Sequence, residues 1–393
     1  MKITSVKSHL VDFFRANLVL VKIETDEGIH GWGEATVEFN DQAVAAAVHT
    51  ASKFLIGKDP FQINRLINEI HRHSYFRTGV ILRSALSGIE AALFDIKGKA
   101  LGVPVYELLG GKVRDEIRCY ANAWFTGART AEQFALKAQD VVDLGYTALK
   151  WDPFGSAYMD LTAAELTASM EIVEAVRASV PKHVDIIIEG HGRFNQATAL
   201  RVARALAEFN PLFFEEPLPP ESISALGDLR TLSPVPIATG ERYYDPSAFE
   251  ALIDANAADY LQPDVCHVGG MEQLKAISAL ADSRFIPVAP HNPMGPVANA
   301  MNIQLAAALP AVTILETMMS DVGWRAEVCD ENVDFQDGFI AVGNRPGLGI
   351  EVNEDACRAH PRKDYVLRHF NGQLTDIRPQ NAAMDVSQTL RAR

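Results

Sequence analysis

Three glutamates follow three successive apolar runs. VDIII is followed by Glu189, LFF by Glu215 and VPIATG by Glu241, and each glutamate lies 26 residues after the one before. Equal spacing predicts that the three carboxylates lie at one depth on consecutive strands. Adjacent carboxylates repel one another and resist ionisation unless a cation lies among them. A lone strand-end acid is ordinarily a solvated surface group, but three in register predict a metal site, and all-oxygen ligation favours Mg²⁺ over zinc or copper.

Two further runs place a carboxylate and an imidazole on neighbouring strands. DYLQPD ends at Asp264, and FIPVAPH ends at His291. A carboxylate that binds one imidazole nitrogen fixes the tautomer and raises the basicity of the other nitrogen, which is what a general base requires. A lone strand-end histidine is more often bonded to a backbone carbonyl. The adjacent Asp264 and the three glutamates favour the catalytic interpretation.

Polar residues also end other runs of the series. TALKWD carries Lys150 and Asp152, VDIIIEGH continues to His191, and VTILET carries Glu316. We expect Lys150 to neutralise substrate charge and His191 to donate a proton, although either could form a structural ion pair or a cap. Asp152 is assigned equally to substrate binding and to such a structural role. Glu316 could accept a hydrogen bond from a substrate hydroxyl if ionised, or donate one to an enediolate oxygen if protonated.

The elements that must position these residues alternate along the chain after residue 111. Eight apolar runs are separated by amphipathic helical stretches such as AAELTASMEIVEAVRA and ATALRVARALAEF. The runs are IRCYANA, TALKWD, VDIIIEG, LFFEEP, VPIATGE, DYLQPD, FIPVAPH and VTILET. Strands alternating with helices in this number predict a (β/α)₈-type barrel. Such barrels place their active site at the carboxyl ends of the strands, so these polar residues are expected at one rim.

The N-terminal part follows a different pattern. Residues 2–36 alternate like three antiparallel strands, and residues 42–108 show helical spacing. Strands followed by helices predict a separate α+β domain. We therefore divide the chain into an α+β capping domain at 1–116, a barrel at 117–350 and a polar C-terminal segment at 351–393 that returns to cover the cap.

Composition argues against several classes of protein. The 393 residues are 48% hydrophobic and 22% charged, as in ordinary globular proteins. A net charge of −14 lacks the basic footprint of a nucleic-acid-binding protein. The four cysteines form no CxxC pair, which favours reduced thiols in a cytoplasm. The N-terminus does not resemble a signal peptide, and no apolar stretch approaches the roughly 18 residues of a membrane span, so we predict a soluble, cytoplasmic protein.

The motifs resemble those of the enolase superfamily, in its mandelate racemase/muconate lactonizing enzyme family. The similarity covers essentially the whole chain. It comprises SGIEAALFDIKGKALGVPVYELLGG in the cap, EGHGRFN, FFEEP and ATGER around the three glutamates, and QPD, APH and PGLGIEV. Each motif alone is weak, whereas the set is highly specific. The resemblance implies a (β/α)₇β barrel with an α+β cap, Mg²⁺-assisted removal of a proton α to a carboxylate, and a homo-oligomer.

Within this family, YANAWF, ALKWDPFG and VDIIIEGHGRFN resemble the gluconate and galactonate dehydratases. The resemblance implies that His291, assisted by Asp264, removes the C2 proton of an aldonate. His191 would act as the acid that expels the C3 hydroxyl, and tautomerisation would give a 2-keto-3-deoxy acid, a step of carbohydrate catabolism. By strand order His191 lies across the barrel from His291, which is consistent with anti elimination.

Two positions depart from the family pattern. The racemases carry a Lys-x-Lys pair where this chain has Lys150-Trp151-Asp152, which disfavours racemisation through a lysine and a histidine. The first metal ligand is more often Asp than Glu, so Glu189 is expected to shift the metal slightly. An acid-sugar epimerase, racemase or cycloisomerase is the alternative. A barrel that only binds a sugar acid is a third interpretation, which the complete set of ligands and base argues against.

The cap is expected to select the substrate. The segments DFFR and HSYFR could close over a polyol tail, which makes Phe14, Arg15 and Tyr75 candidate substrate contacts, although phenylalanines at such positions are more often packing residues. Arg193 and Arg242 follow ligand positions, and we expect them to support the metal site by pairing with its carboxylates.

Overall fold

The N-terminal part is an antiparallel sheet covered by helices, in a computed structural model that describes residues 1–13, 16–331 and 333–364. Its strands pair in chain order and are β1 Ile3–Asp12, β2 Asn17–Thr25 and β3 His30–Glu34. The helices that follow are α1 Asp41–Ser52, α2 Ile63–His73, α3 Val80–Leu101 and α4 Val105–Leu108. The predicted α+β cap is confirmed.

Glycines in β3 bring this strand directly against α3. Gly31 and Gly33 flank the fully buried Trp32, and a Cβ atom at residue 33 would overlap the carbonyl oxygen of Gly88 in α3. Only a residue without a side chain allows the two backbones to approach so closely. The sequence GWGE therefore fixes the longest cap helix on the sheet.

The second part is a barrel of parallel strands. Its strands are β4 Glu116–Asn122, β5 Ala148–Trp151, β6 Asp185–Glu189, β7 Phe213–Glu215, β8 Ile237–Thr239, β9 Tyr260–Leu261 and β10 Leu315–Met318. The helices between them are α5 Ala131–Asp143, α6 Ala163–Ser179, α7 Gln196–Leu206, α8 Ile223–Leu232, α9 Pro246–Asp254, α10 Met271–Asp282 and α11 Pro296–Ala308. A single turn of 3₁₀ helix, Ala207–Phe209, follows α7.

The strand predicted from FIPVAPH forms isolated bridges instead of a continuous ladder. Val288 bridges Leu261 on one side and Val312 on the other, and His291 bridges Asp264. Proline lacks the N–H group that a ladder needs, and residues 287 and 290 are both proline. This segment still occupies the seventh strand position, and β10 pairs with β4 to close the sheet. The order is (β/α)₇β, as the family resemblance implies.

Side chains that point into the barrel form two stacked rings. One residue from each strand position packs in the interior, all of them buried except the half-buried Tyr260, and we call this set the floor ring: Tyr120, Ala148, Ile187, Phe213, Ala238, Tyr260, Ala289 and Ile314. Strand side chains alternate with period two, so the residues two positions later form the next layer towards the carboxyl ends. We call these the site ring: Asn122, Lys150, Glu189, Glu215, Gly240, Gln262, His291 and Glu316.

Buried carboxylates of the cap hold the barrel helices. Glu34 accepts hydrogen bonds from the backbone N–H groups of Gly295 (2.8 Å) and Ala298 (2.9 Å) at the start of α11. Glu90 accepts from the N–H of Glu272 (3.2 Å) at the start of α10. Helix N-termini carry unsatisfied N–H groups and a partial positive charge, so these carboxylates cap barrel helices from another domain. They fix the cap over the rim where the predicted site lies.

After β10 the chain runs through several short elements. They are α12 Arg325–Val328, β11 Cys329–Asp330, β12 Asp334–Gln336, β13 Phe339–Ala341, β14 Glu351–Val352 and α13 Glu354–Ala359. β13 pairs with β4, and β14 pairs with β11. Beyond α13, Pro361 bridges Val11 of β1, so the described part of the C-terminal segment lies on the cap sheet.

Two further features of the structure are the state of the cysteines and the length and apolarity of the helices. All four cysteines are buried and free. Within the part of the chain that the structure describes, no helix combines the length and apolarity needed to cross a bilayer.

Candidate active site

The three glutamates converge at the rim of the barrel. Glu189 and Glu215 are the last residues of β6 and β7 and pair in register, while Glu241 lies two residues beyond the end of β8. Carboxylate oxygens of all three lie within 4.8 Å of one another. The structure therefore brings the three predicted carboxylates together. Glu241 differs from the other two in position, because the site-ring residue of its strand is Gly240 and Glu241 is the residue after it.

Charge in this cluster is unevenly distributed. Burial alone raises the pKa of Glu189, but the charges of His191 and Lys150 lower it to about 2. Burial likewise raises the pKa of Glu241, and His291 and Arg242 lower it to about 2. Burial and the negative charge of Glu189 hold the pKa of Glu215 well above its ordinary value.

The donor set fits a hard divalent cation. Glu215 Oε2 is buried without a hydrogen-bond partner among the described residues. An oxygen left unpaired in a cluster of carboxylates is costly unless a cation binds it. The three side chains offer only oxygen atoms, which suits Mg²⁺. Glu189, Glu215 and Glu241 would hold it.

Lys150 lies beside Glu189 and Glu215 in the site ring and is almost fully buried. Its Nζ atom lies 2.6 Å from Glu215 Oε1, 2.9 Å from Glu316 Oε1 and 3.5 Å from Glu189 Oε2. Burial alone lowers the pKa of Lys150, but the surrounding carboxylates hold it well above its ordinary value. The ammonium group therefore neutralises protein carboxylates, in addition to any substrate charge.

Glu316 is held as an ionised acceptor. Oε1 accepts from Asn122 Nδ2 (2.7 Å), and Oε2 accepts from the backbone N–H of Asn292 (2.7 Å). Burial raises the pKa of Glu316, and the charges of Lys150 and His291 lower it below its ordinary value. From the sequence, Glu316 was expected either to accept or to donate a hydrogen bond, and these contacts favour the role of acceptor. Asn122 and Asn292 were not predicted from the sequence, but Asn122 is the last residue of β4 and could have been found by the strand-end rule.

His291 and Asp264 form a buried pair. His291 Nδ1 lies 2.7 Å from Asp264 Oδ2, and His291 Nε2 lies 3.3 Å from Glu241 Oε2. Burial alone lowers the pKa of His291, but the charges of Glu241 and Asp264 raise it to about 10. A third imidazole, His267, lies beside the pair with Nδ1 3.6 Å from Asp264 Oδ2, and was not singled out from the sequence.

His191 and Asp152 form a second pair on the other side of the barrel. His191 Nδ1 lies 2.7 Å from Asp152 Oδ2. The same oxygen accepts a hydrogen bond from Arg193, and Asp152 Oδ1 accepts from the backbone N–H of Phe154 (2.9 Å). These contacts favour the structural alternative for Asp152. Arg193 thus pairs with Asp152.

The backbone at His191 is held in a left-handed conformation, with φ of 49°. This region is unfavourable for residues other than glycine and persists only where the surroundings hold it. Arg242 Nη2 donates to the carbonyl oxygen of His191 (2.9 Å), and Arg242 Nε lies 3.1 Å from Glu216 Oε2 and 3.5 Å from Glu241 Oε1. Arg242 therefore contacts both Glu241, one of the three predicted metal ligands, and the loop that carries His191.

The structure gives limited information on the predicted cap contacts. Phe14 and Arg15 lie outside the described residues. The Tyr75 side chain is 88% exposed and packs edge-to-face on Phe76. Its loop is joined to the barrel rim, because Thr78 and Arg83 both bond Asp245, four residues beyond Glu241. A substrate contact by Tyr75 stays a prediction.

Comparison with known proteins agrees with this geometry. The family model for the mandelate racemase/muconate lactonizing enzyme N-terminal domain matches residues 5–110, and the enolase C-terminal domain-like model matches residues 133–356. The chain is 38% identical to a D-galactonate dehydratase of Variovorax paradoxus over 387 residues, which is 96% of this chain and 100% of the relative. It is 38% identical to a D-gluconate dehydratase of Thermoproteus tenax over 350 residues, 87% of this chain and 70% of the relative.

Solved structures share the fold. A mandelate racemase/muconate lactonizing enzyme from Sulfitobacter sp. superposes with a TM-score of 0.86 at 31% identity, covering 93% of this chain and 96% of the other. An enolase from Agrobacterium radiobacter with bound sodium and L-malate gives a TM-score of 0.87 at 32% identity, covering 94% and 97%. The chain therefore belongs to the mandelate racemase/muconate lactonizing enzyme family of the enolase superfamily.

Proposed function

We propose that the protein is a hydro-lyase that dehydrates an acid sugar, an aldonate of the gluconate or galactonate type, to a 2-keto-3-deoxy acid. The observation that carries the proposal is the pair of histidine–aspartate couples on opposite sides of the three glutamates. His291 occupies the seventh strand position and His191 follows the third, so half of the eight-strand barrel separates them. The dehydratase names of the relatives from Variovorax paradoxus and Thermoproteus tenax support the same reaction class.

In the proposed reaction His291 removes the C2 proton. Asp264 holds Nδ1, which leaves Nε2 as the atom that takes the proton. A proton next to a carboxylate is only weakly acidic, because its removal leaves a dianion. Glu189, Glu215 and Glu241 would hold Mg²⁺, which would supply Lewis-acid stabilisation of that negative charge.

His191 acts as the acid for the departing C3 hydroxyl. Hydroxide is a poor leaving group, so the step needs a proton donor on the side of the substrate away from the base. Asp152 and Arg193 orient the His191 ring, and the backbone contact from Arg242 fixes the loop. Loss of the hydroxyl gives an enol, whose tautomerisation yields the 2-keto-3-deoxy acid.

Racemisation through a lysine and a histidine is disfavoured by the residues across from His291. That two-base mechanism needs a lysine there, and the position taken by lysine in racemases holds Asp152. Both oxygens of that carboxylate are already engaged, by His191 and Arg193 on one side and by the Phe154 N–H on the other. Elimination needs only one base and one acid, which the two histidines supply.

The experiment is a screen of purified protein with Mg²⁺ against aldonates and aldarates, scoring 2-keto-3-deoxy acid with and without EDTA. We expect an EDTA-sensitive keto product from D-gluconate or D-galactonate. Glu215→Gln should abolish it, whereas Glu208→Gln, an exposed glutamate in the 3₁₀ turn, should not. Deuterium uptake at C2 without keto product would contradict the dehydratase and favour an epimerase.

We also propose a cellular compartment and an oligomeric state for the enzyme. Four free, buried cysteines support a reducing compartment, the cytoplasm. We also expect a homo-oligomer, which light scattering coupled to size-exclusion chromatography would test.

A further inference from the structure

Gln262 differs from every other side chain of the site ring. The polar members around it are engaged: Asn122 with Glu316, Lys150 with Glu215, and His291 with Asp264. Gln262 is 1% exposed, yet neither its Nε2 nor its Oε1 has a hydrogen-bond partner among the described residues. A buried amide without partners is costly, and such groups in native proteins call for an explanation such as a bound ligand.

The side chain of Gln262 points into the barrel mouth. Its strand neighbour Tyr260 packs on Phe213 of the floor ring, with ring centroids 4.9 Å apart. The Gln262 N–H donates to Thr239 O (2.9 Å), and the flanking Leu261 bonds the strand on the other side, so the strand is regular from residue 260 to 262. Alternation then places the Gln262 side chain on the same face as Tyr260, one layer closer to the rim.

Gln262 also lies between the metal site and the base. On one side it adjoins Gly240, where a Cβ would lie 2.5 Å from the Gln262 backbone, and Glu241 follows directly. On the other side, its neighbour Asp264 bridges His291. A substrate whose carboxylate faces Glu241 and whose C2 proton faces His291 must pass its C1–C2 bond over Gln262.

We propose that Gln262 is a substrate-binding residue that recognises the 2-hydroxy carboxylate head group. Nε2 donates a hydrogen bond to a carboxylate oxygen, and Oε1 accepts one from the 2-hydroxyl. The inference rests on the proposed function, which requires that head group at this place. Because the donor faces the oxygen that gains negative charge as the C2 proton leaves, it contributes to the reaction as well as to binding. The tail of the acid plays no part, so the contribution is the same for acids that differ only in their tails.

The test uses D-malate, which has the 2-hydroxy carboxylate with the C2 configuration of D-gluconate and D-galactonate but no 3-hydroxyl, so it cannot undergo the proposed elimination. Calorimetry with Mg²⁺ compares the wild type with Gln262→Met, a change of similar volume. Loss of a hydrogen bond to a charged group should weaken malate binding about 10- to 100-fold. Mg²⁺ affinity should stay within about twofold, and the melting temperature without ligand should be equal or higher, because an unpaired buried amide is removed.

Tyr120→Phe is the matched control. The Tyr120 hydroxyl is also buried without a partner among the described residues, but Tyr120 belongs to the floor ring, and Lys150 Nζ lies over its aromatic ring, 5.5 Å from the centroid. Removal of the hydroxyl should leave malate binding unchanged. Unchanged malate affinity in Gln262→Met, an equal loss of Mg²⁺ affinity, a lower melting temperature, or a wild type that binds no malate would each overturn the inference. If malate binding depends on Gln262 but the protein forms no keto acid from any substrate in the screen, the binding role of Gln262 is retained and the dehydratase function is rejected.

Discussion

Two histidine–aspartate pairs face each other across the barrel with the same Nδ1 to Oδ2 distance of 2.7 Å and different surroundings. The His291 side chain is 11% exposed and lies between two carboxylates, Asp264 and Glu241. The His191 side chain is 27% exposed, and its aspartate is shared with the guanidinium of Arg193. The His291 imidazole therefore lies between two carboxylates, whereas the more exposed His191 imidazole shares its carboxylate partner with a guanidinium.

The difference teaches that the distance within a pair does not assign its role. The charges of Glu241 and Asp264 raise the pKa of His291, which suits the base that we propose. On the other side, Asp152 Oδ2 is shared between His191 and the guanidinium of Arg193. A guanidinium bonds Asp152, whereas the third group beside Asp264 is the imidazole of His267, and we propose that this difference separates the two functions.

The largest effect is expected from His291→Asn. Without the base, C2 proton exchange with D₂O and keto-acid formation should both fall by about 10³-fold or more. Proton NMR of D-gluconate or D-galactonate in D₂O with Mg²⁺ measures both. Calorimetric Mg²⁺ affinity should be retained, which separates loss of the base from loss of the metal site. Exchange at the wild-type rate would remove His291 as the base.

His191→Asn should have the next largest effect, and on one step only. Loss of the acid should slow keto-acid formation by about 10²-fold, while the base and metal ligands stay in place. A coupled assay for the 2-keto-3-deoxy acid measures the rate. Wild-type dehydration by this variant would defeat the assignment of the acid.

The two aspartates allow a matched comparison, Asp264→Asn against Asp152→Asn. Each change keeps an oxygen acceptor and removes one charge. Partners that orient a functional histidine typically contribute about 10- to 100-fold. We expect Asp264→Asn to reduce both C2 exchange and dehydration, and Asp152→Asn to reduce dehydration alone. Equal effects on both steps in the two variants would show that the pairs are interchangeable.

The smallest expected effect concerns titration of the metal-free protein. The pKa of His291, raised from 6.5 to about 10, should be visible by ¹⁵N-imidazole NMR as a cation that persists at pH 8. Because the pKa is raised in the folded state, its contribution to stability is complete below pH 6.5 and is lost as the pH rises through about 10. Glu241→Gln should lower this pKa by ~1 unit or more, since Glu241 is the chief charge that raises it. A pKa unchanged by that substitution would contradict the stated cause.

Much of this arrangement could be predicted from strand ends. Period-two alternation and the rule that barrels use their carboxyl rim were enough to bring Glu189, Glu215, Asp264 and His291 together. The irregular seventh strand was harder, because the two prolines in FIPVAPH interrupt its ladder without moving it from its place. The fold class can still be predicted correctly, because the closed barrel is defined by all eight strand positions together and not by the hydrogen bonds of one strand.

Other contacts could not be read from residue type alone. Arg193 follows the predicted metal ligand Glu189 in sequence, but the left-handed turn at His191 and Gly192 redirects the chain and brings the Arg193 guanidinium to Asp152. The buried pairing of Lys150 with Glu215 and Glu316 depends on strands distant in sequence. Gln262 reads as an ordinary polar residue before a proline, and only its burial without partners distinguishes it.

The most direct test of the division of labour is the ratio of C2 exchange to keto-acid formation in His191→Asn. Wild type and variant are followed in D₂O with Mg²⁺ by proton NMR, which records loss of the C2 proton signal and appearance of product in one sample. If His291 acts as base and His191 as acid on opposite sides, the ratio should rise by at least about tenfold in the variant. An unchanged ratio, with both processes lost together, would contradict the account.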